Sequence, residues 1–307
     1  MKKTTMALMA MLICFGQANY AGAQSFSVSP TKKVIFSPGN LQWSADGTHT
    51  TATGSAPGSW QFATRQDHYI GSDNEKISSS YIWWIDLFGW ATSGYTNGGW
   101  GSEPYNTSID PHSYTLQYGI DMSGTNHDWG TFNAIYNPKT DEDDAPGTWR
   151  TLTKEEWEYL FTSRTDAEYK CGDAEIEIWG GKRGIVILPD NWTLPNGLTF
   201  NYGFNKSDIS SYVSISKNTY TEEQWKQMED AGAVFLPAAG IREPSRIIPY
   251  VGAYWSSTFY NPSGDESGRE NSTRAYCIFF DSKGVKPNDT NYVNFGFSVR
   301  LVRDVKD

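Results

Sequence analysis

Thr153 to Phe161 reads TKEEWEYLF, and Thr221 to Met228 reads TEEQWKQM. In both, a Thr stands three positions before a Glu or Gln (Thr153/Glu156 and Thr221/Gln224). That spacing lets the two side chains satisfy orphan amides of a first helical turn reciprocally. Trp157, Leu160 and Phe161 then fall at i, i+3 and i+4, one apolar stripe. Trp225 and Met228 form a second stripe, and Gly232 is the expected stop of that helix. Each predicted helix leads to a predicted strand: Gly184 to Leu188 (GIVIL), closed by Pro189, and Ala233 to Leu236 (AVFL), closed by Pro237.

Working outward, the rest of the chain reads as short strands and turns. Val34-Ile35-Phe36 ends at Ser37-Pro38-Gly39-Asn40, and Leu41, Trp43, Trp60 and Phe62 continue as a hairpin. Tyr81 to Trp90 (YIWWIDLFGW) is too short to span a bilayer, so it reads as a buried core segment. Residues 91 to 148 show no sustained period and read as irregular. Tyr254 to Ser257, Arg274 to Phe280 with a turn at Asp281 to Gly284, and Phe297 to Val302 are the remaining strands. Both faces of RAYCIFF are apolar, so that strand is expected to be at least partly buried on each side. The expected architecture is one α+β domain over 34–307, preceded by a lead at 24–33, with two helices, short twisted antiparallel strands and long loops.

The chain has 307 residues, with 25 Lys+Arg against 35 Asp+Glu, and 13 Trp, 18 Tyr and 15 Phe. An acidic chain repels phosphate, which argues against a nucleic-acid partner. The aromatic content supplies enough apolar surface to offset chain entropy, which argues against general disorder. Lys2 and Lys3, the apolar run Met6 to Phe15 and the pair Ala21/Ala23 form an export signal with cleavage expected after Ala23. The rival reading lipidates Cys14, but Ile13 stands where a small residue is needed. No later segment is long and apolar enough to be expected to cross a membrane. The expected destination is therefore the periplasm, the outer-membrane surface or the exterior. Cys171 and Cys277 can pair in an oxidising compartment or stay as two buried thiols, and sequence leaves both open.

Ser37-Pro38-Gly39-Asn40-Leu41-Gln42, Ile85 to Trp90 (IDLFGW), Trp149 to Leu152 (WRTL), Glu155-Glu156-Trp157, Leu188-Pro189-Asp190, Phe235 to Gly240 (FLPAAG), Tyr254 to Ser257 (YWSS) and Ser298 to Val302 (SVRLV) occur in that order. This string resembles a group of secreted Bacteroidetes proteins that are similar to the C-type lectin fold in its formylglycine-generating, sulfatase-modifying version. The same fold serves the receptor proteins of diversity-generating retroelements. The resemblance covers about residues 34 to 303. It implies a loop-built ligand surface and no settled activity. The close cysteine pair and Arg-Gly-Gly-Ser-Trp motif of the sulfatase-modifying enzymes are missing, so their copper chemistry is not implied. The calcium-lectin motifs are missing too, and Ser256 and Ser257 stand where carboxylate and amide ligands would be expected. No cofactor or metal is expected.

Other chemistry has a plainer explanation at each place. Glu155, Glu156 and Glu158 suit the first turn of a helix as well as a glycosidase pair. Asp141 to Asp144 lacks the spaced ligands of a calcium loop, and His49, His68, His112 and His127 show no zinc spacing. Recognition is the better expectation. Trp84, Trp90, Trp157, Trp225 and Trp255 lie in predicted elements and are assigned to the core. Aromatic and Asn residues in turn-rich stretches are the candidate ligand contacts: Trp100, Tyr105, Tyr114 and Trp129 in the middle, and Phe259, Tyr260, Asn261, Arg274, Asn288, Asn291 and Tyr292 near the C-terminus. In the retroelement receptors, the stretch matching Tyr254 to Val302 builds the ligand face. The expected function is non-catalytic recognition of a glycan or surface protein. A divergent enzyme of the formylglycine-generating type and a structural, fimbria-associated component are the alternatives.

Overall fold

The computed structural model describes residues 24–46, 59–95, 103–107, 121–178, 180–202, 217–244, 246–261 and 273–306. The leader expected at 1–23 lies outside them. In chain order the elements are β1 (Phe26–Ser27), β2 (Lys33–Phe36), β3 (Leu41–Ser44), β4 (Ser59–Phe62), α1 (Trp129–Phe132), β5 (Ile135–Asn137), β6 (Glu142–Asp144) and α2 (Lys154–Thr162). They continue with β7 (Cys171–Glu177), β8 (Lys182–Ile187), β9 (Lys217–Thr221), α3 (Glu222–Asp230), β10 (Val234–Pro237), β11 (Ile241–Glu243) and β12 (Arg246–Ile248). The last are β13 (Gly252–Phe259), β14 (Arg274–Asp281), β15 (Gly284–Tyr292) and β16 (Val302–Asp304). The class is mixed α+β.

Both helix-start signals are realised as reciprocal capping boxes. Thr153 Oγ1 accepts from the Glu156 amide at 3.2 Å while Glu156 Oε2 accepts from the Thr153 amide at 3.0 Å. Thr221 and Gln224 repeat the arrangement. Past the end of α3, Gly232 adopts φ +99°, the left-handed conformation that a glycine stop provides.

Period-two alternation sorts side chains into three core clusters. Sheet β10-β8-β7-β9 sends Ala174, Ile176, Val186 and Phe235 towards Trp225 and Met228 of α3. Its other face sends Cys171, Ile185, Ile187, Val234 and Leu236 into a central cluster with Trp157, Leu160 and Phe161 of α2. Sheet β13-β14-β15 closes that cluster with Tyr254, Ile278 and Phe280, and its far face sends Ala253, Trp255, Ala275 and Cys277 into the third. RAYCIFF is therefore buried on the face of Ala275 and Cys277, and on the other at Ile278 and Phe280, while Arg274 and Tyr276 are half-buried.

A buried polar knot joins the motif fragments. Arg300, 1% exposed, donates to Asn40 Oδ1 at 3.2 Å and to Gln66 Oε1 at 2.8 Å. Asn40 Nδ2 donates to the Tyr254 hydroxyl at 3.1 Å, which donates to the Pro237 carbonyl at 3.0 Å. Gln66 also accepts from the Phe235 amide at 2.6 Å. Four fragments far apart in sequence thus meet at one point, and Gly39 has no room for a Cβ against the Ala63 backbone.

The structure departs from the expectations in several places. The lead at 24–33 is built into the domain: β1 pairs with β2, and Phe26 and Val28 are buried. Strand pairing is not wholly antiparallel, since β4/β5 and β7/β9 run parallel. Phe297 to Val302 is not one strand: Phe297 and Ser298 make isolated bridges and only Val302 enters β16. The acidic stretch forms β6 and an ordered turn, with Asp144 accepting from Trp149 Nε1 at 2.9 Å. Ile82 and Trp83, placed in the core by their apolar context, are 42% and 52% exposed. Cys171 and Cys277 are free thiols in different clusters, and burial pushes the Cys171 thiol up to about 12.

Candidate functional site

On β14, residues 274, 276, 278 and 280 share one face. Ile278 and Phe280 are covered there by the central cluster, whereas Arg274 and Tyr276 lie further out and are half-buried. Antiparallel pairing places Tyr292 opposite Arg274 and Thr290 opposite Tyr276, and directly paired residues share a face. Tyr260 joins them because its amide donates to the Arg274 carbonyl at 3.0 Å. Tyr260, Tyr276, Arg274, Thr290 and Tyr292 together form an aromatic ledge beside the start of α2.

The ledge is held by side-chain contacts rather than by burial. Tyr260 and Tyr276 meet edge to face at 5.4 Å. The Arg274 guanidinium lies 4.9 Å from the Tyr292 ring centre, and it donates to the Thr290 hydroxyl at 3.2 Å and to the Thr290 carbonyl. Lys154, the first residue of α2, is pinned by its amide donating to Thr258 Oγ1 at 3.0 Å. Its ammonium lies 5.3 Å from the Tyr276 ring centre and 3.3 Å from Glu158. Burial first, with help from Tyr260, Glu155 and Glu158 against an opposing Lys154, raises the Tyr276 pKa, so the ring keeps its proton at neutral pH. Such a surface offers three ring edges or faces, one guanidinium and hydroxyls that both donate and accept.

Of the candidate contacts, the structure brings Tyr260, Arg274 and Tyr292 together. Asn261, half-buried, follows Tyr260 directly, and Asn288 occupies the register shift of β15 where that strand carries one extra residue. Asn291 pairs with Ala275 and so lies on the opposite face, its Oδ1 accepting from the Tyr292 amide. Two candidates are corrected. Phe259 is also paired with Ala275, shares its inward direction, and packs 5.6 Å from Trp90 with 7% exposure. Trp129 is fully buried against Phe88, because Asp128 caps α1 and Gly130 lets that turn press on the Trp149 backbone. Tyr105 is partly buried 5.9 Å from Trp43, while Trp100 and Tyr114 lie outside the described residues. Tyr276, Thr290 and Lys154 were missed; the period-two step from Arg274 to Tyr276 is the signal that could have found the first.

The acidic candidates are occupied elsewhere. Glu156 completes the capping box and accepts from both terminal nitrogens of Arg150, at 2.6 and 2.8 Å, while Arg150 also binds Asp304. Glu158 pairs with Lys154, and Glu155 is exposed. Among the described residues, no group of three or more His, Cys, Asp or Glu is placed to hold a metal ion, and no helix is long and apolar enough to cross a membrane. No family model, curated protein or solved structure matches this chain.

Proposed function

We propose that this chain is an exported, non-catalytic recognition protein with a C-type lectin-like domain, and that it binds a glycan or protein of a cell surface through the ledge at Tyr260, Arg274, Tyr276 and Tyr292. The observation that carries the reading is the convergence of these residues on one partly exposed face from separate positions of β14, β15 and the end of β13. Tyr and Arg supply large contact area with few rotamers to freeze, and Thr290 with Asn261 supplies adaptable hydrogen bonds. Export is supported by the leader pattern at residues 1–23.

A glycan and protein array, probed with wild type and with a Tyr260→Ala, Tyr292→Ala double variant, tests this. The expected result is binding to at least one array member that falls at least tenfold in the double variant. Equal binding by both proteins overturns the site.

A further inference from the structure

Away from the ledge, the 3₁₀ turn Gly71–Lys76 and the segment Ser80 to Trp83 form the two walls of an open cleft of about 480 Å³. Among the described residues its lining is Asp73, Lys76, Ser80, Tyr81, Ile82 and Trp83. That volume falls in the range of small-ligand sites.

The walls are built in advance. Asn74, fully buried between them, donates to Asp86 Oδ1 at 2.8 Å and accepts from the Asp86 and Leu87 amides at 3.0 and 3.1 Å. Asp86 Oδ2 accepts from the Ile70 amide at 2.8 Å. The second wall is tied down by Ser44 Oγ donating to the Ile82 carbonyl at 2.6 Å, and by Trp43 and Ile85 exchanging backbone hydrogen bonds. Ile85 is fully buried, whereas Trp83, at a bend in the chain before that bridge, is 52% exposed.

Among the described residues Trp83 is the exposed tryptophan; the others are buried or half-buried. The cleft therefore combines an indole platform and the Tyr81 ring with a polar rim. Among the described residues the rim's two charges cancel, because Asp73 Oδ1 and Lys76 Nζ pair at 2.8 Å. That pair favours neither an anion nor a cation, and the rim offers an acceptor (Asp73) and donors (Lys76, Ser80) at close spacing. A neutral ring with an apolar C–H face and neighbouring hydroxyls, each both donor and acceptor, matches that pattern.

We propose that this cleft binds a neutral pyranose unit, with its C–H face on Trp83 and its hydroxyls on Asp73, Lys76 and Ser80. The site does not require the ledge to bind anything.

The test uses titrations of the full chain with cellohexaose, xylohexaose, mannohexaose and laminarihexaose, with hexagalacturonate as the charged control, followed by tryptophan emission and calorimetry. At least one uncharged hexasaccharide is expected to bind and shift the emission. Trp83→Ala should weaken it at least tenfold, Trp83→Phe by less, and Asp73→Asn severalfold, each with an unchanged circular dichroism spectrum. The Tyr260→Ala, Tyr292→Ala variant should bind these sugars as wild type does, which separates this site from the ledge. The proposal is overturned by no uncharged sugar binding at millimolar concentration, by a preference for hexagalacturonate, or by wild-type affinity in Trp83→Ala.

Discussion

The polar knot around Arg300 and the ledge around Arg274 both combine an Arg with Tyr, and use them in opposite ways. Arg300 is buried without a carboxylate partner among the described residues, and burial lowers its pKa to about 10. Its charge is tolerated because two amide oxygens face it, and those amides are in turn held by Tyr254, Phe235 and Ala233. Arg274 is half-buried and rests on a ring and a threonine at the edge of a sheet. Removing a member of the knot strands polar groups that water cannot reach, whereas removing a member of the ledge exposes groups that water can solvate. The knot should therefore govern stability, and the ledge should govern binding.

The strongest way to break this contrast is Arg300→Met. It removes two charge-assisted hydrogen bonds and leaves Asn40 Oδ1 unpaired inside the protein, a loss of about 3 kcal/mol. Urea denaturation reads it directly, and a midpoint equal to wild type would mean that the knot is not structural. Arg300→Lys should recover little, because an ammonium lacks the planar fork that reaches both amides.

Acid titration sharpens the contrast next. Asp86 and Asp128 are fully buried, and desolvation raises both carboxyls to about 6 against the hydrogen bonds they accept. The folded chain holds those protons more tightly than the unfolded chain. Their stabilising contribution is complete below the unfolded value of 3.8 and is lost as pH rises through about 6. For each carboxyl the change is on the order of 2–3 kcal/mol. Denaturation midpoints at intervals between pH 4 and 7 should show this decline, and Asp86→Asn should make it shallower. An unchanged slope in that variant would remove Asp86 from the explanation.

A smaller effect is expected at Tyr250, which is 82% exposed and held at φ +65°. A bulky side chain is disfavoured in that left-handed region, so Tyr250→Asn should stabilise by about 1 kcal/mol. A lower thermal midpoint in the variant would show that the ring makes contacts that outweigh its backbone cost.

What could be read from sequence follows the range of the forces involved. The two helices were legible because a capping box and an apolar stripe are local, and Thr153, Glu156, Thr221 and Gln224 form them without reference to the rest of the chain. RAYCIFF was legible because alternation reports burial on each face. Phe259 and Trp129 were misplaced because turn-rich neighbours say nothing about which way a ring points; that is set by pairing with Ala275 and by the approach of α1 to Trp149. Asn291 belongs to the same class, since its face depends on strand register. Trp83 erred in the other direction: an apolar run suggested core, but the bridge between Trp43 and Ile85 turns only part of that run inward.

The smallest stability effect is expected where the largest binding effect is. Tyr292 is 42% exposed and Tyr260 half-buried, and neither side chain makes a buried hydrogen bond to its surroundings. Truncating both removes the 5.4 Å ring contact with Tyr276 and the seat of the Arg274 guanidinium. Arg274 keeps Thr290 and gains water, so the net change should stay within roughly 0.5 kcal/mol, as for ordinary surface substitutions. A Tyr260→Ala, Tyr292→Ala variant that unfolds at the wild-type urea midpoint yet loses its ligand assigns the ledge to recognition. The same variant losing several kcal/mol would instead make the ledge a second structural centre, and any binding loss would then report unfolding rather than contact.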